Sequence, residues 1–161
     1  MNLKTLALAA ASIVIASPAL AETNLKEDHE MEVKGVVESY FEYLQIGDLE
    51  GLENLFDDNI IWHQPGNGQL SGTYEGKPKL FTLFGEFMKR SGGTFKIDEV
   101  SSLMINGNFV IANLHFSATQ GNKSISMDGV DLMKVKNGKI IEVHLFSADQ
   151  EAEDEFWNQA E

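Results

Sequence analysis

The stretch FVIANLHFSATQGNKSISMDGVDLMKV, residues 109–135, decides the fold. Apolar and polar side chains alternate on both sides of Gly121-Asn122, the pattern of two half-buried strands joined by a tight turn. A two-residue loop there sets Ala118 opposite Ile125, Phe116 opposite Met127, Leu114 opposite Gly129 and Ala112 opposite Asp131. One face of the hairpin is then apolar except for Asp131, while the other carries Asn113, His115, Ser117, Ser126 and Asp128. A lone carboxyl on an apolar wall is disfavoured in its charged form, so Asp131 is expected to stay protonated and to donate a hydrogen bond.

The same period of two extends outward to strands near Phe95–Ile105 and Lys139–Ser147, with hairpin turns at Asn106-Gly107-Asn108 and Asn137-Gly138. The Asn137-Gly138 turn leaves two registers open. A two-residue loop brings Glu142 and His144 beside Asp131, whereas a bulged loop brings Ile141, Val143 and Leu145 there. The bulged form is preferred because it keeps that wall apolar.

Towards the N-terminus the period changes to that of a helix. Val33, Val36, Val37, Tyr40, Phe41 and Leu44 form one stripe that Gly47 ends, preceded by a polar lead-in, Glu22 to Asp28, expected to be frayed. Asp48 is placed to cap a second helix, Leu49–Phe56, that Asp57-Asp58-Asn59 stops. Ile60 to His63 reads as a short strand, and Gln64 to Tyr74, with Pro65 and three glycines, as a loop. Pro78 opens a third helix through Met88, and the acidic segment Asp149 to Trp157 reads as a short last helix with a solvated face. Helices followed by an antiparallel meander give an α+β architecture: a curved antiparallel sheet wrapped around three N-terminal helices, a cone with an internal pocket, closed by a short C-terminal helix.

Composition limits the function. Twelve Lys plus Arg stand against 25 Asp plus Glu, a net charge of −13, which repels phosphate backbones and speaks against nucleic-acid partners. Arg90 is the only arginine. Met1 to Ala21 combines an early Lys4, the apolar run Leu6 to Ala16 and an Ala19-Leu20-Ala21 ending, which predicts a secretory signal peptide. The apolar run is about half of the ~20 residues that a membrane span needs. Residues 22–161 are expected to form one exported domain, periplasmic or secreted, with no membrane span after cleavage. With no cysteine, its stability has to come from a hydrophobic core.

Several short motifs carry a family resemblance: Gly47-Asp48-Leu49-Glu50, Asp57-Asp58, the segment from Trp62-His63 to Gly72-Thr73-Tyr74-Glu75-Gly76, and Gly129-Val130-Asp131-Leu132-Met133 before Asn137-Gly138-Lys139-Ile140. In order and spacing they resemble the nuclear transport factor 2-like superfamily, in its SnoaL-like and ketosteroid isomerase-like branch, over nearly the whole of residues 33–161. The resemblance implies a hydrophobic pocket in which a first-helix tyrosine and a protonated late-strand aspartic acid hold a developing oxyanion while a third group moves the proton. Carried over, the tyrosine falls on Tyr40, the acid on Asp131 and the base on His63, where the family has a carboxylate.

The expected walls are Trp62, Phe84, Leu114, Phe116, Met127 and Met133, around a small apolar carbonyl compound. The expected chemistry is proton transfer next to that carbonyl, of isomerase, dehydratase or cyclase type, with no cofactor. If the other register of the last strand holds, His144 becomes a second acid/base, as in scytalone dehydratase. The alternative is a ligand-binding or dimerisation module without turnover, favoured if His63 turns to solvent. His29, His63, His115 and His144 show no close pair at ligand spacing, so no metal is expected. The epoxide hydrolase set of the family, Asp-Arg-Asp, lacks its arginine, since Arg90 lies at the end of the third helix. A homodimer is expected, through the strand face that carries Phe109 and His115.

Overall fold

The structure, a computed structural model, describes residues 18–158. The leader predicted over Met1–Ala21 lies outside the described residues except for its last four, which belong to the first helix. Elements follow in the order α1 Pro18–Ile46, α2 Leu49–Leu55, β1 Phe56–Gln64, β2 Gly72–Glu75, α3 Lys77–Arg90, β3 Lys96–Asn106, β4 Phe109–Gln120, β5 Lys123–Lys136, β6 Lys139–Ser147 and α4 Gln150–Trp157. The six strands form one curved sheet ordered β2-β1-β6-β5-β4-β3, with α1, α2 and α3 against it. The pairing of β1 with β6 is parallel and the rest are antiparallel.

The β4–β5 hairpin forms in the register that its turn dictates, with Ala118, Phe116, Leu114 and Ala112 opposite Ile125, Met127, Gly129 and Asp131. The next turn combines both readings of the sequence. Asn137 and Gly138 both have positive φ and make a two-residue loop, pairing Lys136 with Lys139. Ile141 then intrudes as a bulge between the pairs Val135–Ile140 and Lys134–Glu142, so Asp131 meets Leu145 and Met133 meets Val143. The bulge gives the apolar wall, and Glu142 and His144 point to the other face.

Three boundaries differ from expectation. Glu22 to Asp28 are helical, because α1 continues as an exposed helix with a Lys26–Glu30 pair at 3.7 Å and a tie from His29 to the Asn108 side chain at 2.7 Å. Asp57-Asp58-Asn59 lie inside β1, whose first residue is the fully buried Phe56. Gly72 to Tyr74 belong to β2, which pairs with β1 and adds an edge strand to the expected meander. Asp48 caps α2 as expected, accepting from Gly51 N, and Asp149 caps α4, accepting from Ala152 N.

The core lies between the helices and the concave face. Val33, Val37 and Tyr40 of α1, Leu80, Leu83 and Phe87 of α3, and Phe56, Ile60 and Trp62 of β1 are buried in it with the inward residues of β4, β5 and β6. At one end α4 closes the cone. Asp154 accepts from Asn67 N at 2.8 Å and draws the loop so close that a Cβ on Gly66 would fall inside the Asp154 carboxylate. Arg90 donates to the Trp157 carbonyl and to the Gln69 side chain, binding α4 to the end of α3.

Candidate functional site

A cavity of about 180 Å³ fills the space between α1, α3, α4 and the concave face of the sheet. Its walls are mainly apolar and include four of the residues expected there: Trp62, Phe84, Leu114 and Phe116. Met127 and Met133 are not among them. Met133, between Val110 and Val143, is wholly buried in side-chain packing, and Met127 packs against the core nearer the β4–β5 turn. Leu49 and Met88 line the cavity and yet are 62% and 45% exposed, which puts its mouth there.

Tyr40 and Asp131 both line the cavity and are 3% and 6% exposed. Burial pushes the Asp131 carboxyl up to about 8, and the nearby Glu153 charge adds to this. Burial likewise raises Tyr40 well above the usual phenol range, with Asp131 adding to it. At neutral pH both are therefore protonated. Among the described residues neither side chain has a hydrogen-bond partner, so two buried O–H groups face the cavity unused.

His63 does not join them. Ile60, Trp62 and Gln64 take the inward positions of β1, and the alternation turns His63 to the convex face. There it lies in parallel register with His144, the imidazoles stacked 3.9 Å apart. Glu142 is between them, 3.0 Å from His144 Nε2 and 3.4 Å from His63 Nε2. No histidine pair stands at ligand spacing in the sequence, yet the fold brings these two together, because it sets β6 beside β1 from far along the chain. His29 and His115 stay apart from this pair, His115 bonding to Asp128 and Ser126 on the convex face.

Inside the cavity the place expected for His63 is taken by two groups that the sequence reading missed. Gln64 accepts from Trp62 Nε1 at 3.3 Å and donates to Glu153 at 3.1 Å. Glu153, expected on a solvated helix face, is buried. One of its oxygens accepts from Gln64 and Trp157, the other from Ser147 and Gln150. Burial raises its pKa, although the Ser147, Trp157 and Gln150 donors pull it down. Its position three and four residues before Phe156 and Trp157 was the available signal, since that spacing puts all three on one helix face. Arg90 is engaged at the end of α4, so the arginine of an epoxide hydrolase set is missing here.

A model of the SnoaL-like domain matches residues 37–143, most of the described chain. The chain belongs to the SnoaL-like domain family. Among solved structures, this SnoaL-like domain is similar to a protein of unknown function with a cystatin-like fold from Xanthomonas campestris. The two are 39% identical, with 79% of this chain and 98% of that one covered and a TM-score of 0.76. Bal32a, from a soil-derived mobile gene cassette, is 28% identical over 81% and 99% of the two chains, with a TM-score of 0.77. A putative SnoaL-like polyketide cyclase from Jannaschia sp. CCS1, at 13% identity, 74% and 88% coverage and a TM-score of 0.64, shares the fold. No curated protein matches the sequence. Among the described residues, no helix is long and apolar enough to cross a membrane.

Proposed function

We propose that this SnoaL-like domain binds a small apolar carbonyl compound, whose oxygen accepts hydrogen bonds from Asp131 and Tyr40, and that it does so without turnover. The observation that carries this reading is the pair of buried O–H groups without partners on an otherwise apolar wall. A ligand oxygen there would accept from two donors that open to the cavity and have no partner within the described residues, a gain of about 1 kcal/mol each. An apolar cavity of about 150 Å³ accepts benzene, so a cavity of about 180 Å³ suits one substituted ring.

Absence of turnover is favoured by what surrounds that oxygen. His63 is on the other face of the sheet, Gln64 has no basic group, and both oxygens of Glu153 already accept two hydrogen bonds each. A carboxylate with its lone pairs so engaged is a poor base.

The second reading is proton transfer next to the carbonyl, of isomerase, dehydratase or cyclase type. It is supported by Asp131 and Tyr40 as oxyanion donors, with Glu153 as base in place of His63. One experiment separates the two. Both tryptophans, Trp62 and Trp157, line the cavity, so titration with a single-ring cyclic enone should change the protein fluorescence. Asp131→Leu and Tyr40→Phe, which each delete one donor, should each weaken binding about tenfold, roughly one charge-free hydrogen bond. In D2O the bound enone should keep its α-protons. Exchange for deuterium that Glu153→Gln abolishes would establish the proton-transfer reading, and binding unchanged in both pocket variants would remove the ligand pose.

The leader at Met1–Ala21 supports export to the periplasm or beyond. Exposed Phe109 and Phe146 support a homodimer through the convex face. Light scattering should give twice the chain mass, and Phe146→Lys should halve it.

A further inference from the structure

We infer that His63, Glu142 and His144 form a binding site for a divalent transition-metal ion, Zn²⁺ by preference, on the convex face of the sheet. One ligand atom from each residue lies within 4.8 Å of the others. The separations of Glu142 Oε1 from His144 Nε2 and His63 Nε2 are 3.0 and 3.4 Å. Bonds of about 2.0–2.1 Å to one tetrahedral centre put neighbouring ligands about 3.4 Å apart, so these distances need little adjustment. Two imidazoles with one carboxylate select zinc and its neighbours over magnesium or calcium, which prefer all-oxygen shells.

Further observations point to a ligand. His63 Nε2 is buried and, although 3.4 Å from Glu142, is not aligned for a hydrogen bond, so it lacks a partner among the described residues. The other nitrogen of the same ring, Nδ1, lies 3.2 Å from Thr73 Oγ1. When Nδ1–H donates to Thr73, Nε2 carries the free lone pair a metal needs, and the ring is held in place from behind. Lys134 is opposite Glu142 in register, but its ammonium lies over the Phe109 ring, 5.4 Å from the centroid. Thus the Lys134 ammonium does not occupy the position between the rings.

The imidazoles are nearly parallel, 14° apart, so metal binding requires the His144 ring, which Thr73 does not hold, to turn until its Nε2 lone pair converges with that of His63, exchanging its contact with Glu142 for the metal. The turn is about a terminal sp³–sp² torsion with broad minima. Each residue is about a third exposed, which leaves the fourth position open to water. The site joins β1 to β6 at the parallel pair of the sheet, on the face opposite the cavity. It is independent of the ligand in the cavity, and its expected effect is to fasten the β1–β2 edge to the rest of the sheet.

The test uses the whole purified protein, stripped with chelator and titrated with Zn²⁺ alone by calorimetry, and with Co²⁺ to read the visible ligand-field bands. One ion per chain should bind with sub-millimolar affinity and raise the melting temperature, and Co²⁺ should give the intense bands of a tetrahedral nitrogen-containing site. His63→Gln and His144→Gln should each weaken binding at least about tenfold, and Thr73→Val, which leaves all three ligands in place, also about tenfold. His115→Gln should bind as the wild type does. Equal Zn²⁺ affinity in the wild type and in the His144→Gln chain would overturn the site. Weak octahedral Co²⁺ bands in the wild type would do so even if the variants failed to fold.

Discussion

Asp131 on the concave face and Asp98 on the convex face belong to the same sheet and are chemically identical, yet the fold drives them in opposite directions. Asp131 is enclosed by apolar walls, has no donor, and is pushed up to about 8. Asp98 is exposed, 2.7 Å from the Lys96 ammonium and beside the Ser117 hydroxyl, and these hold it below the usual carboxylate range. Side-chain identity therefore says little about protonation here. What decides it is which face a residue's parity in the strand assigns it to, and whether donors reach it there.

The larger effect should come from the inner member. Between the ordinary value of 3.8 and about 8 the folded chain keeps a proton on Asp131 that the unfolded chain has released. Stability should therefore fall as pH rises across that window, by up to about 1.4 kcal/mol per pH unit. Asp131→Asn removes the titrating group and should flatten this part of the profile, making the variant more stable than the wild type near the upper end. Urea unfolding of both chains across the window measures the slopes; parallel profiles would break the contrast.

The outer member should give a smaller effect of opposite sign. Because the folded value of Asp98 is lowered, its contribution is present above 3.8 and lost as pH falls through the lowered value. Exposure and screening limit it to about 0.5 kcal/mol or less. Asp98→Asn should lower stability slightly at neutral pH, with the difference vanishing in acid. A stabilised Asp98→Asn chain at pH 7 would show that the lysine and hydroxyl do not favour the charged form.

The contrast also explains which parts of the molecule were legible in the sequence. The β4–β5 hairpin was readable because the turn Gly121-Asn122 and the alternation around it fix one register, and with it the inward placement of Asp131. Tyr40 was readable from a helical stripe. His63 was misplaced because Ile60-Ile61-Trp62 is apolar at successive positions, so the alternation that sets its direction is hidden until Trp62 and Gln64 are seen inside. Glu153 was missed because an acidic first turn is the ordinary sign of a solvated helix start, and only its distant partners Gln64 and Ser147 make burial tolerable. The His63–His144 pair depends on a parallel pairing between strands far apart in the chain, which no local pattern encodes.

The bulge at Ile141 has an evolutionary consequence. It is a single extra residue, and the direction of every later side chain in β6 depends on it. Loss of its codon would leave Lys134 opposite Glu142 and Asp131 opposite Leu145, so the wall would stay apolar, whereas substitutions that straighten the strand and pair Ile141 with Lys134 would carry Glu142 and His144 into the cavity and send Val143 and Leu145 out. Chambers of opposite chemistry are thus one step of register apart in this architecture.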